Sequence, residues 1–524
     1  MQAAPATIPK ATARAAAPEA PPPGDQSLAR KTGWSAAASV CNLVGRLVVQ
    51  VLIARMLGPE GVGRIAYMIW LIEITNLLCC LGLPNSLTRY LAELHGQHES
   101  ARAAQFAHWV FLRFLLLSLI GAAVLGVLFF HSSQYAEIAT ALPLLMVLFV
   151  ARALEAINRA DLAGRQRFDL LGRINLAAAV ALIVGVGVGA FFRGVPGALG
   201  GYLAGAMIPA AYSLTLLRPG RTEQPLPVEL RRRVWKFSVH TWLALVVSAF
   251  VWSRMEIFFL DRYWNAHEVA MFTVALSFAL MVRQVAQLFS GAFMAHFAHL
   301  SGDGNHDVIQ RQYATATRLM AFLVVPMAFG GAAIMPALIP LLFGPEFAPA
   351  VPNAMVLTAG SALAFSTIGS ALVYAKERSG FIALGGFLGA LLAVAAGVLV
   401  VSRFGASGAA WSKLFVQCSM IALGTWFIVR RLGFAFPFGS VGRTLLAGGV
   451  CGLATWRLVA WMPESWLTLG VAVAFGAMVY VIAVRFLRVL GPNETHQLKR
   501  LGNRLPGRIH RPFALTIHAL GSTP

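Results

Sequence analysis

A chain of 524 residues that is 58% hydrophobic and only 12% charged is not a soluble globular protein, in which about a quarter of residues carry charge. The mean hydropathy of +0.70 and the apolar runs recurring from end to end point to many membrane crossings rather than one anchor. A net charge of +21 suggests nucleic acid or an acidic membrane surface, and the placement of the charges decides between them.

Residues 1–32, rich in Ala and Pro and lacking the apolar core of a signal peptide, read as a disordered cytoplasmic tail. Fourteen candidate spans follow, each near the about 20 apolar residues that a crossing needs. They lie near 33–54, 65–84, 105–130, 138–157, 174–192, 198–217, 237–260, 269–291, 319–343, 353–374, 380–402, 407–429, 444–462 and 466–488. The first span carries Ser35, Ser39, Asn42, Arg46 and Gln50. At about 100° per residue these share one helix face, an arc of roughly 80°. A polar stripe centred on an arginine is costly against lipid and belongs at a bundle interior or a wet cavity. The span ends in the loop Arg55-Met-Leu-Gly-Pro-Glu-Gly-Val-Gly63.

A faint copy of that loop, Arg262-Tyr-Trp-Asn-Ala-His-Glu-Val-Ala270, follows 207 residues later and matches Val62 to Val269. Two lobes of six spans result, 33–217 and 237–430, joined by a basic cytoplasmic linker at 218–236. Spans 13 and 14 form an appended pair within 431–488, followed by a basic cytoplasmic tail at 489–524. The predicted fold is an all-α integral membrane protein of about fourteen transmembrane helices, two six-helix lobes plus an appended helix pair.

Loops after even-numbered spans hold most of the Lys and Arg, whereas the alternate loops hold only Arg55, Arg64, Arg193, Arg262 and Arg403. This asymmetry places both termini in the cytoplasm and explains the basic excess without nucleic acid. The cytoplasmic cations can meet anionic headgroups, so membrane lipids are expected partners. Gly185 with Gly189, Gly197 with Gly201 and Gly205, and Gly385 with Gly389 are spaced for close helix contact. Pro326, Pro336 and Pro340 permit kinks in span 9. The five cysteines lie in apolar segments without metal or disulfide spacing, so neither a metal nor a cofactor is expected.

No P-loop, GxSxG or HExxH motif occurs, and the outer loops are too short for a glycosyltransferase or ligase with an outer acceptor domain. The chemistry therefore falls on polar residues inside spans. Candidates for a substrate cavity are Asn42, Arg46, Gln50, Glu73, Asn76, Arg113, Arg283, Gln287 and Lys413. Arg46 and Arg283 lie deepest, roughly 20 Å along their helices at 1.5 Å per residue. Arg254, Arg485 and Arg488 sit near span ends and read as snorkelling anchors. An internal pair such as Arg46 with Glu73 satisfies the same burial rule. Forked guanidinium donors in an apolar cavity suit phosphate oxygens. A cation-exporting multidrug or toxin antiporter is the alternative, and the predominance of basic intramembrane residues weighs against it.

The runs Leu52-Ile-Ala-Arg-Met-Leu-Gly-Pro-Glu-Gly-Val-Gly63, Leu81-Gly-Leu-Pro-Asn-Ser-Leu-Thr-Arg-Tyr90 and Arg159-Ala-Asp-Leu-Ala-Gly-Arg-Gln-Arg-Phe168 resemble those of polysaccharide biosynthesis and O-antigen flippases. These belong to the multidrug/oligosaccharidyl-lipid/polysaccharide exporter superfamily, and the resemblance covers roughly residues 30–430. It implies lobes around a central cavity, alternating access, and transfer of undecaprenyl-diphosphate-linked oligosaccharide across the bacterial inner membrane. It also implies a polysaccharide polymerase and glycosyltransferases as partners. Arg46 is the one residue it carries over, as a cavity cation. Span 7 departs from lobe symmetry, with Ala249 and Ser253 where the first lobe has Asn42 and Arg46.

Overall fold

A computed structural model describes residues 24–130, 142–217, 226–302, 306–376 and 378–489. All regular elements among them are helical. They are α1 (Gly24–Cys79), α2 (Leu83–Gly96), α3 (Ser100–Phe130), α4 (Leu142–Gly164), α5 (Phe168–Ser213), α6 (Val228–Trp252), α7 (Glu256–Tyr263) and α8 (Ala266–Gly302). After these come α9 (His306–Phe343), α10 (Val351–Gly360), α11 (Thr367–Ala375), α12 (Ser379–Ala396), α13 (Ser402–Arg430), α14 (Phe438–Trp461) and α15 (Trp466–Phe486). Helices satisfy every backbone group internally, which lipid demands of a spanning segment.

Ten helical stretches among the described residues are long and apolar enough to cross a membrane. Three of these fold back on themselves. As a straight rod the 46 residues of α5 would measure about 69 Å, more than twice the hydrocarbon thickness of about 30 Å. Instead α5 turns at Gly194, and the α12–α13 stretch turns at Gly405 with nearly the same backbone angles (φ 60°, ψ −134° and φ 54°, ψ −136°). α1 turns at Gly58 (φ 64°). Only glycine takes such positive φ without strain. Small residues let the arms of α5 touch: a Cβ on Gly189 would lie 2.0 Å from the Gly197 carbonyl oxygen, and one on Gly201 2.2 Å from the Val186 nitrogen. Phe381 stacks on Phe427 across the second hairpin at 3.7 Å. The expected fourteen crossings are reached only by counting each hairpin arm, and the 23-residue α4, as a crossing of its own.

α8 begins at Ala266, 207 residues after Pro59 opens the second arm of α1, so the weak loop repeat marks equivalent helix starts. These two starts meet. A Cβ on Gly63 would lie 1.7 Å from the Ala266 carbonyl oxygen, so only glycine fits there. Around this contact one apolar core joins both lobes, with Val49, Ile53, Val62 and Ile65 against Val269, Phe272, Phe343 and Phe347. Arg55 reaches across to the C-terminal end of α9, where Nε donates to the Leu342 carbonyl at 2.9 Å and Nη2 to that of Leu341 at 2.5 Å. Those carbonyls lack helical partners, and a cation is favoured at that helix end. The Gly58 face is therefore closed.

On the opposite face, marked by α2, the cores separate. One is built from α2, α3, α4 and the end of α5, and the other from α8, α9 and α11. α14 and α15 pack on each other and on α9, with the Tyr480 hydroxyl donating to the Phe322 carbonyl at 3.0 Å.

Several expectations need correction. Span 7 is not one helix: α6 stops at Trp252 and α7 starts at Glu256. α6 also belongs to both lobes. It packs on α12, yet Ser238 and Ser86 hydroxyls pair at 2.5 Å and Trp242 donates to the Leu77 carbonyl at 2.9 Å. α9 continues as one helix through Pro326, Pro336 and Pro340. The N-terminal stretch read as a tail to residue 32 is helical from Gly24. Residues 1–23, 218–225 of the linker, and the tail from 490 lie outside the described residues.

Two measurements test this packing. Gly201→Val should cost about 1–3 kcal/mol by forcing the α5 arms apart, read as a lower melting temperature of the purified protein. Arg55→Gln should raise the reactivity of a cysteine placed at Ile65 toward a membrane-impermeant thiol reagent supplied on the Gly58 side; unchanged reactivity would show that Arg55 does not hold that face shut.

Candidate substrate cavity

Between the two lobes lies a cavity of about 970 Å³, walled by α1, α4, α5, α6 and α8. It ends at Ile53, Val62 and Ile65 beneath the closed face and extends to Pro84, Arg159 and Phe168 near α2. The α1 hairpin supplies two facing walls because its arms are antiparallel about Gly58. Arg46 and Gln50 come from the first arm, and Glu73 and Asn76 from the second. One Arg46 Nη2–Glu73 Oε1 contact of 3.4 Å bridges the arms.

α4 continues this charge chain at helical spacing. Arg152 lies 3.9 Å from Glu73 and 2.5 Å from Glu155, and Glu155 is also held by Arg159 at 2.8 Å. The pairs differ in strength. Arg152 and Glu155 are mostly buried, with side-chain exposures of 24% and 17%. Arg46 and Glu73 are 62% and 44% exposed, and pairs that wet are worth about 0–1 kcal/mol. Arg46 is thus released cheaply to another anion.

α8 supplies the far wall. Ser277 donates to Gln50 Oε1 at 2.7 Å and ties the lobes together at the cavity's closed end. Arg283 lies 4.7 Å from the Trp252 ring centre, a cation–π contact that holds the guanidinium without neutralising it. Gln284 and Gln287 line the same wall. Arg254 enters from the gap between α6 and α7, within electrostatic reach of Glu73 and Arg46.

Of the expected site residues, Arg46, Gln50, Glu73, Asn76, Arg283 and Gln287 come together here. The side chain of Asn42 lies outside the described part of the structure. Arg113 and Lys413 do not line the cavity. Arg113, on α3, lies 3.9 Å from the Trp109 ring centre and donates to the Trp109 carbonyl. Lys413 is 1% exposed behind the wall and ion-paired with Glu256 at 3.1 Å. Arg254 is no snorkelling anchor, because the helix break turns a span-end position into a cavity position. Arg152, Glu155 and Arg159 were legible only as a charged run at the end of a span. Their i, i+3 and i+7 spacing places them on one face, a signal that points inward once an interior exists.

The lining therefore holds five arginines, at positions 46, 152, 159, 254 and 283, against two carboxylates, Glu73 and Glu155. Among the described residues Arg254 and Arg283 have no carboxylate within ion-pair distance.

Comparison with known proteins accords with this architecture. Residues 52–352 match the family model described as "Polysaccharide biosynthesis protein". The chain is 22% identical over 486 residues to the succinoglycan biosynthesis transport protein ExoT of Rhizobium meliloti, covering 88% of this chain and 93% of that relative. A shorter stretch of 76 residues, 14% of this chain and 18% of the relative, is 33% identical to the lipid III flippase of Escherichia coli. The fold is similar to that of the lipid II flippase MurJ in an inward closed conformation, with a TM-score of 0.70 at 13% identity, covering 87% of this chain and 98% of that one. It is also similar to an inward-facing multidrug resistance transporter of the MATE family, with a TM-score of 0.63 at 14% identity, covering 75% and 94%. These relatives are named as transport proteins and flippases rather than enzymes, and the chain is a multi-pass membrane protein. With more than half of its length matched, the chain belongs to the polysaccharide biosynthesis protein family.

Proposed function

We propose that this transporter flips an undecaprenyl-diphosphate-linked oligosaccharide across the bacterial inner membrane for surface polysaccharide biosynthesis. The observation that carries this reading is the cavity's excess of three positive charges, with Arg254 and Arg283 lacking carboxylate partners among the described residues. A lipid diphosphate is an anion whose headgroup needs a polar route while its tail stays in hydrocarbon. Guanidinium forks bind its oxygens in pairs. Similarity to a succinoglycan transport protein and, locally, to a lipid III flippase supports a lipid-linked saccharide as cargo.

In this reading both termini and α2 face the cytoplasm, and the structure is the state that loads from that side. The headgroup enters past Arg159, engages Arg254 and Arg283, and takes Arg46 from its weak contact with Glu73. Separation of Gly63 from Ala266 and release of Arg55 from α9 then open the other face. A polymerase and glycosyltransferases would act on either side of this step.

Likeness to a multidrug transporter favours a second reading, an antiporter for drugs or toxins. A cationic drug would meet net repulsion in this lining, which ranks the reading second.

Two outcomes follow. In proteoliposomes, Arg254→Gln with Arg283→Gln should slow transfer of a fluorescent polyprenyl-diphosphate saccharide by at least tenfold, each charge-assisted contact being worth about 1.5–3 kcal/mol. Unchanged transfer, or protection of cells from cationic dyes by the unmodified protein, would favour the second reading. Glu73→Gln should tighten binding of the same lipid several-fold by removing its competitor for Arg46; weaker binding would show that Glu73 organises the site instead.

A further inference from the structure

Lys413 and Glu256 form the most deeply buried ion pair described, and neither lines the cavity. They flank the break between α6 and α7. Lys413 Nζ lies 3.1 Å from both Glu256 carboxylate oxygens and donates to the Ser253 carbonyl at 2.6 Å. In an unbroken helix that carbonyl would accept from the Ile257 amide. Here the Ile257 amide donates instead to the Arg254 carbonyl at 3.1 Å. The Ser253 carbonyl has turned out of the helix ladder toward α13, with Ser253 extended (ψ −166°). That carbonyl and the Arg254 amide belong to one rigid peptide plane. Fixing the oxygen therefore fixes the Arg254 amide and Cα, the platform from which its side chain departs.

We infer that Lys413, held by Glu256, is a positioning residue that locks the Ser253–Arg254 peptide and so aims the Arg254 guanidinium at anionic cargo in the cavity. The inference rests on the cavity reading above for what Arg254 meets. Its own content is the coupling between a buried pair on α7 and α13 and a cation that neither residue touches. The geometry explains why an ammonium sits behind a wall that already carries Arg254 and Arg283, both within electrostatic reach. An apolar residue there would leave the Ser253 carbonyl unpaired in a dry environment. Glu256 offsets the added charge and, at the start of α7, faces the favourable end of a helix dipole.

The test is a double-mutant cycle on the full chain in nanodiscs, with farnesyl diphosphate as the anionic probe and farnesol as the neutral control. The pair is removed as a unit, Glu256→Gln with Lys413→Met, so that no buried charge is orphaned. Arg254→Gln should weaken farnesyl diphosphate binding on the order of tenfold. The pair variant should weaken it by a similar factor with farnesol binding unchanged, and adding Arg254→Gln to the pair variant should cost no more than about twofold further. A pair variant that binds like the unmodified protein overturns the inference, as does a combined variant whose loss is the product of the two. If Arg254→Gln alone has no effect, it is the cavity role of Arg254 that fails. Lys413→Arg keeps a donor for the Ser253 carbonyl and guards against a pair variant that does not fold. It should hold binding within about threefold of the unmodified protein, and a tenfold loss there would assign the position to packing rather than to the donated bond.

Discussion

Guanidinium groups have no tolerable place in hydrocarbon, and this chain carries them on helices long and apolar enough to cross a membrane. That constraint organises the fold. A single helix cannot hide such a group, so Arg46, Arg152, Arg254 and Arg283 need an interior, and the interior must stay polar enough to receive them. Two lobes meeting along one edge provide it. Their apolar core at the Gly58 face closes one end, and the separation of their cores near α2 leaves the other end roomy. Within that space the carboxylates are arranged unequally. Glu155 is held firmly by Arg152 and Arg159, whereas Glu73 is shared at longer range and leaves Arg46 exchangeable.

Much of this was legible before any coordinates. Apolar runs gave the helices, and a one-line repeat gave the equivalence of the α1 second arm and α8. The polar stripe around Arg46 pointed to a cavity because its spacing is helical and its chemistry is wrong for lipid. Illegible features depended on where a helix departs from its ideal path. In span 7 the run Ser253-Arg-Met-Glu256 interrupts the apolar pattern, but a polar run does not announce that the Ser253 carbonyl turns toward Lys413. A span-end position alone reads Arg254 as an anchor, and depth alone does not say which side of a wall the Lys413 side chain occupies. Arg113 failed likewise: Trp109, one turn away, offers an aromatic face that makes a cavity unnecessary.

α6 gives the assembly its mechanical character. Its lower half is fastened to the first lobe through Ser238 and Trp242, and its continuation α7 is fastened to the second through Glu256. Between these attachments the upper part of α6 packs on α12, and the short irregular stretch at its end carries Arg254. A cavity cation thus stands at the end of the one helix fastened to both lobes.

The matching backbone angles at Gly194 and Gly405 have a consequence for energetics. Two turns of the same geometry, at corresponding places in the two halves, are the mark of a duplicated frame. With six crossings apiece the halves run in the same sense, so the duplication relates one lobe to the other and not one open form to the other, whose free energies are set by the contacts particular to each. The contacts that differ between the forms are those of the closed Gly58 face and of the cavity lining, where three arginines come from the first lobe and two from the second.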